Sequence, residues 1–234
     1  MNNKYLSTPS AFLPFNKGET ASGGLAPLSS YNKGQVNEQR VASKLIANFF
    51  SVPLATDVQA LASKPVFSVS GDKVVINAFY YLASDKALNN NSINSLGEVL
   101  GKVFKQAVEL RFVRLHYPYL NSYILAQYIA INTAKYNFTR IQRAIFGALQ
   151  FPVIKGSNLS SDGALPSYIT GMKIRISGRL TTQRSVPRQT VQTAQIGSFS
   201  SSEKGIIESA SFSTKNQKGA FTVKVWISQV AHTS

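Results

Sequence analysis

Apolar positions along this chain recur with two periods, one helical and one alternating, and the switches between them mark its elements. From Val36 to Phe50, Val41, Leu45 and Phe49 recur at helical spacing, and Pro53 closes that helix. Val66–Val69 and Val74–Tyr81 are β-branched and aromatic runs flanking Ser70-Gly71-Asp72-Lys73, which predicts a hairpin. Ser95 and Glu98 have capping-box spacing just ahead of a helix through about Lys105. Leu96, Val99, Leu100, Val103 and Phe104 make its apolar stripe, and Lys102 and Lys105 lie off it. In the strand that follows, Val108, Leu110 and Phe112 point one way and Glu109 and Arg111 the other. Helix, hairpin, helix and strand predict an α+β layer with helices on one face of a small sheet.

His116-Tyr117-Pro118 breaks the chain to a second unit. Helices are predicted over Leu120–Ala134 and Asn137–Gln150, the latter stopped by Pro152. A polar loop, Lys155–Pro166, leads to a strand over Ile169–Ile176. Thr181–Ser202, rich in Gln, Thr and Ser, reads as loop with room for one strand. Strands over Ile206–Phe212 and Ala220–Val230 finish the chain, joined by the turn Asn216-Gln217-Lys218-Gly219. Residues 1–34 mix Asn, Ser, Pro and Gly with apolar anchors at Phe12, Leu13 and Phe15. They read either as an extended arm that packs on a partner or as a disordered tail.

Charge changes the picture more than composition does. The apolar fraction, 44%, is that of a globular protein, but Lys plus Arg number 25 against 10 acids, a net charge of +15. Such a body repels itself unless an anionic partner neutralises it, and nucleic acid or an anionic membrane surface would serve. A merely basic soluble protein is the bland alternative. Membrane insertion is not expected: the longest apolar stretch, Tyr123–Ile131, is short and interrupted by Gln127. No cysteine is present, which removes disulfides, thiolate-held metals and thiol nucleophiles. The start of the chain lacks both the charged-then-apolar order of a signal peptide and the Arg-rich helix of a transit peptide. Repeated Asn and a Lys-leaning basic set suggest an AT-rich coding sequence, which fits a product encoded and made inside a mitochondrion.

Catalysis has little to work with. His116 and His232 stand apart without acid partners, and Glu98, Glu109, Asp162, Glu203 and Glu208 are scattered singly. No Gly-rich phosphate loop exists, so no enzyme, metal or cofactor is expected. The cations are better organised. After Asn137, Phe138, Ile141, Ile145 and Leu149 share one helix face, and Arg140 and Arg143 fall on the opposite one, where each can clamp a phosphate. A solvated helix face is the other reading. In the strand Met172–Arg179, Met172, Ile174 and Ile176 face inward, leaving Lys173, Arg175 and Ser177 outward. Arg179, Arg184 and Arg188 continue that row into the loop, and Lys224 beside Trp226 extends it, a surface suited to tracking a phosphate backbone. Trp226 packs against the sheet or stacks on a base, with packing favoured. Lys102, Lys105, Arg111, Arg114 and Lys135 complete the candidate RNA-binding set.

Two of these segments carry a resemblance. Gly171-Met172-Lys173-Ile174-Arg175-Ile176-Ser177-Gly178-Arg179-Leu180, followed by Gly219-Ala220-Phe221-Thr222-Val223-Lys224-Val225-Trp226-Ile227, resembles the C-terminal domain of the small-subunit ribosomal protein S-three family. Val108–Gln127, with Lys64-Pro65-Val66-Phe67 and Lys73-Val74-Val75-Ile76, looks like its fungal mitochondrial, VAR-one type branch. The resemblance covers most of residues 36–230 and leaves the N-terminal arm outside. It implies an arm over 1–34, a type II KH-like domain over 35–115 and the family's α+β domain over 116–234. It further implies a structural place in the head of the mitochondrial small subunit, with rRNA, neighbouring ribosomal proteins and mRNA at its entrance channel as partners. In bacterial relatives, basic residues of the helix after the family's phenylalanine line that channel. Aligned on Phe138, those positions are Thr139, Arg140 and Arg143, so the role carries to Arg140 and Arg143 and weakens at Thr139. One departure stands out. A working KH domain grips nucleotides with a Gly-x-x-Gly loop. Leu82–Ser92 lacks it, and Gly97 and Gly101 are one residue too far apart. The KH shape is expected to persist as scaffold without its grip. Rival readings are a free RNA-binding regulator outside ribosomes and an intron endonuclease, which needs clustered acids.

Overall fold

The computed structural model describes residues 33–51, 60–69, 73–82, 90–149, 167–184, 186–199 and 205–231. Residues 1–32 of the expected arm, Pro53, the loop Lys155–Pro166 with Pro152, and His232 lie outside the described residues. The chain divides into two compact units, residues 1–115 and 116–234, each with its own buried core.

Unit one contains α1 (Lys33–Ser51), β1 (Ala60–Ala62), β2 (Val66–Val69), β3 (Lys73–Leu82), α2 (Asn90–Phe104) and β4 (Ala107–Leu115). β2 and β3 form the expected hairpin, with Val69 opposite Val74. β1 is an addition to the expected elements; it pairs with the far end of β3, Ala60 opposite Leu82, so β1 and β2 occupy one edge of β3 in tandem. Ser63 makes the joint. Its backbone N–H donates to the Phe79 carbonyl at 2.8 Å and its Oγ accepts the Phe79 N–H at 2.9 Å. Pro65, which has no N–H, keeps the ladder from running straight on. β4 lies parallel to β3 on the other edge, a pairing no tight turn can make, and α2 supplies the crossover.

α1 stands where helical spacing predicts it: Ala42, Ile46 and Phe50 are buried, the expected Leu45 and Phe49 pack half-buried against the same core, and Val41 is 47% exposed. The small Ala42 lets the helix approach the sheet closely, and hydrophobicity alone undervalues such a position. Ser95 is no cap. α2 begins at Asn90, and Ser95 Oγ donates to the Asn91 carbonyl at 2.9 Å inside the helix. The α2 stripe narrows to Leu96, Leu100 and Phe104, while Val99 faces solvent and Val103 is half-buried.

Unit two contains a short 3₁₀ turn (Pro118–Leu120), α3 (Ser122–Asn132), α4 (Phe138–Ala148), β5 (Ser167–Gly178), β6 (Val191–Gly197), β7 (Gly205–Asn216) and β8 (Gly219–Ala231). The predicted helix over Leu120–Ala134 starts later because Pro118–Leu120 winds as 3₁₀ and Asn121 caps α3, its Oδ1 accepting the N–H groups of Tyr123 and Ile124. The sheet runs β6-β5-β8-β7, antiparallel throughout. α3 packs on β7 and β8 and α4 reaches β6, so both helices cover one face. Met172, Ile174, Ile176, Val223, Val225 and Ile227 bury themselves beneath them.

Glu208, one of the scattered acids, ties sheet to helix. Its Oε1 accepts from Ser122 Oγ at 2.7 Å, Asn121 Nδ2 at 3.2 Å and the Ser122 N–H at 3.3 Å, placing a carboxylate at the start of α3. Burial pushes its pKa above the usual 4.5, and the Ser122 bonds offset this only in part. A raised folded-state pKa gives stability that is full below 4.5 and declines as pH rises through the folded value. Glu208→Gln keeps the single accepting oxygen without the charge. Its stability relative to wild type is expected to rise in urea unfolding as pH climbs above 4.5. A relative loss over that range would mean that attraction to the helix start outweighs desolvation.

Candidate nucleic-acid interface

The face of the second sheet turned away from the helices is built by alternation. Along β5, Met172, Ile174 and Ile176 are buried while Lys173 and Arg175 are exposed, with Ser177 half-buried; along β8, Lys224 is exposed between the buried Val223 and Val225. Strand register assembles these into rows. Thr193, Arg175, Lys224 and Ser211 form one, and Gln195, Lys173, Trp226 and Ser209 the next. Ser177, Thr222 and Ser213 follow, with Ser213 Oγ 2.9 Å from Thr222 Oγ1. Arg175 and Lys224 are direct partners on neighbouring strands, a like-charge placement that destabilises a sheet. No described acid on this face relieves it. Glu208 is the single acid among the described residues of unit two, and it is turned toward α3. Trp226 belongs to this outer row and not to the buried core; it is half-buried, with Lys173 Nζ 5.7 Å from its ring centroid.

α4 carries the second set. Phe138, Ile141 and Ile145 are buried, and Thr139, Arg140 and Arg143 are exposed. The Arg140 guanidinium lies 4.5 Å from the centroid of the Tyr136 ring, which orders the plane while leaving N–H edges for an anion. Because α4 covers the inner face of the sheet, these arginines and the Arg175–Lys224 row lie on opposite sides of unit two.

A third set forms where three segments meet. Asn216 Nδ2 donates to the Arg179 carbonyl at 2.7 Å, Lys218 Nζ to the Gln183 carbonyl, and Thr181 Oγ1 to the Ala134 carbonyl at 3.4 Å. The loop after β5 is thereby pinned to the β7–β8 turn and to the end of α3. The joined segments carry Arg179 and Arg184, Lys135, and Lys215 and Lys218, two lysines that sequence reasoning passed over. Their signal was only their position beside a turn. Arg188 lies farther along the same loop, exposed.

In unit one the candidates are dispersed. Lys102 is exposed on α2, and Lys105 ends that helix with φ 54°. Arg111 is ion-paired: Glu109 Oε1 accepts from it at 2.7 Å, and Oε2 accepts from Lys73 at 2.8 Å. Those bonds, Lys73 first, hold the Glu109 carboxyl below its usual pKa. The Glu109 carboxylate offsets part of the charge that Arg111 would offer a phosphate. Arg114 belongs to the inner row of β4 with Phe112 and is half-buried opposite Tyr80. Among the described residues no cluster of His, Asp or Glu could hold a metal, and no helix is long and apolar enough to cross a membrane.

The sequence profile of the family described as mitochondrial ribosomal protein (VAR1) matches residues 60–230. The small ribosomal subunit protein uS3m of Mycosarcoma maydis is 40% identical over 188 residues, covering 71% of this chain and 67% of that one.

Proposed function

Because this chain belongs to the VAR1 family of mitochondrial ribosomal proteins, we propose that it is a constituent of the mitochondrial small ribosomal subunit that holds rRNA on the outer sheet face of its second unit. It is a structural protein and not an enzyme. The observation that carries the RNA-binding reading is Arg175 set opposite Lys224 on a face without an acid among the described residues. A polyanion turns that repulsion into attraction, and hydroxyl-bearing neighbours add hydrogen bonds to phosphate and ribose. Recognition of this kind rests on backbone and shape, with little reading of bases.

Unit one supplies scaffold in this reading. Its β3–α2–β4 crossover is compatible with a KH-like core, and Gly97 and Gly101 sit inside α2, where they form no nucleotide-gripping loop. The proposed position is the subunit head beside the mRNA entrance channel, with Arg140 and Arg143 facing incoming mRNA and residues 1–34 reaching a neighbouring component. Changing both arginines to Ala is expected to lower translation of structured mRNA several-fold while the chain still co-sediments with small subunits in a mitochondrial extract. Loss of subunits alone would reassign the pair to rRNA anchoring, and a chain sedimenting free of subunits would favour a regulator outside the ribosome.

A further inference from the structure

We propose that one end of unit two carries a pocket for a single unstacked RNA nucleotide, with the base inside and its phosphates on the cations around the mouth. The inference rests on the RNA-binding reading above and adds to it a site of different chemistry. A cavity of about 350 Å³ opens between the end of α3 and the β7–β8 hairpin, lined by Thr133, Thr181, Phe212, Thr214, Lys215 and Phe221 among others. Its size falls in the ~300–1,000 Å³ range of pockets that enclose small organic groups. Its walls are mixed in the way a nucleobase requires. Phe212, Phe221 and the α3 side chains offer apolar surface to a ring face, and the Thr133 and Thr181 hydroxyls, which donate to α3-end carbonyls, keep oxygens that can accept from a ring edge.

The charge around the mouth selects a nucleotide over an apolar side chain from a protein neighbour. Lys215 lines the cavity; Lys135 follows the lining Ala134, the Arg179 carbonyl accepts from the lining Asn216, and the Lys218–Gln183 bond joins the turn to the loop carrying Arg184, all five cations being exposed. No acid stands among the described residues there. A base entering the cavity brings a phosphate on either side of its sugar to meet these groups, whereas a leucine or phenylalanine from another protein brings no charge. Single-stranded RNA is recognised in this manner, through splayed bases against aromatic walls with cations along the backbone.

The test compares the full chain binding a single-stranded RNA of about ten nucleotides with an abasic oligonucleotide of the same backbone and length, followed by fluorescence anisotropy. The intact RNA is expected to bind roughly tenfold more tightly. Ala134 lines the cavity and is exposed, so Ala134→Trp fills the mouth from outside; it should bring intact RNA down to the abasic affinity and leave the abasic affinity unchanged. Thr214→Tyr repeats the block from another wall should the first variant not fold. Lys135→Ala with Lys215→Ala should weaken both ligands alike. Equal affinity of the two oligonucleotides for wild type overturns the pocket while sparing the phosphate-binding reading, as does indifference of intact RNA to a folded blocking variant. Absence of binding by either ligand at low salt defeats the RNA-binding reading itself.

Discussion

RNA affinity of the isolated chain falls by about 10³–10⁵ between ~50 and ~200 mM salt if it engages ~6–10 phosphates. Counterions released from the RNA drive such binding, so the slope of log affinity against log salt counts the cations that meet phosphate. Lys173, Arg175 and Lys224 share one face, and no described acid there competes with phosphate for them. Changing all three to Gln is expected to make the slope shallower by ~0.7–0.9 for each cation removed from the interface, about two to three in total, with a large drop in affinity at low salt. Arg111→Gln is the natural control, because Glu109 already occupies that guanidinium and a smaller change should follow. Filter binding across a salt series measures both. A flat response in wild type, or a triple variant that matches it, removes the outer face from the interface.

Gly178→Ala is expected to cost on the order of 3 kcal/mol or more and to unfold unit two at a markedly lower denaturant concentration. Gly178 ends β5 with φ 121°, a conformation that L side chains rarely adopt. A Cβ there would stand 2.6 Å from the Ala220 carbonyl oxygen and 2.7 Å from the Phe221 Cα, and neither is the tip of a flexible side chain. The end of the strand would have to shift against β8 at the Gly178–Phe221 pair. Gly147→Ala tests that the cost belongs to the site and not to glycine in general. Gly147 lies in α4 with nothing within 4 Å of an added Cβ, so alanine should stabilise by ~0.5–1 kcal/mol. Urea midpoints of the two variants should move in opposite directions. A Gly178→Ala protein as stable as wild type would show that the end of β5 yields easily.

The same glycine shows how much of this molecule is legible in its sequence. Ser177-Gly178-Arg179-Leu180 marks a recognisable strand end, but the reason for glycine there is a close approach to Ala220, which only folding creates. Alternating segments read well because period two survives into the sheet: the inward row of Met172, Ile174 and Ile176 and the outward Lys173 and Arg175 stand as expected. Helix faces read less well. Ala42 carries little hydrophobic signal, yet it takes the centre of the α1 contact. The start of α2 is hidden because Asn90, Asn91 and Ser92 favour turns locally, and tertiary packing of Leu96, Leu100 and Phe104 overrides them. β1, three residues long, is too short to show alternation. Glu208 and the cations around the end cavity are invisible as groups. Glu208 meets Ser122 across 86 positions of chain, and Lys218 meets Gln183 across 35. No local pattern encodes such meetings.

The unrelieved pairing of Arg175 with Lys224 reaches beyond recognition into the life of the molecule. Whatever binds only the native form raises its resistance to unfolding, so a newly made copy is at its weakest before it meets a nucleic-acid ligand. Limited proteolysis is expected to cut the chain faster alone than in the presence of bound RNA.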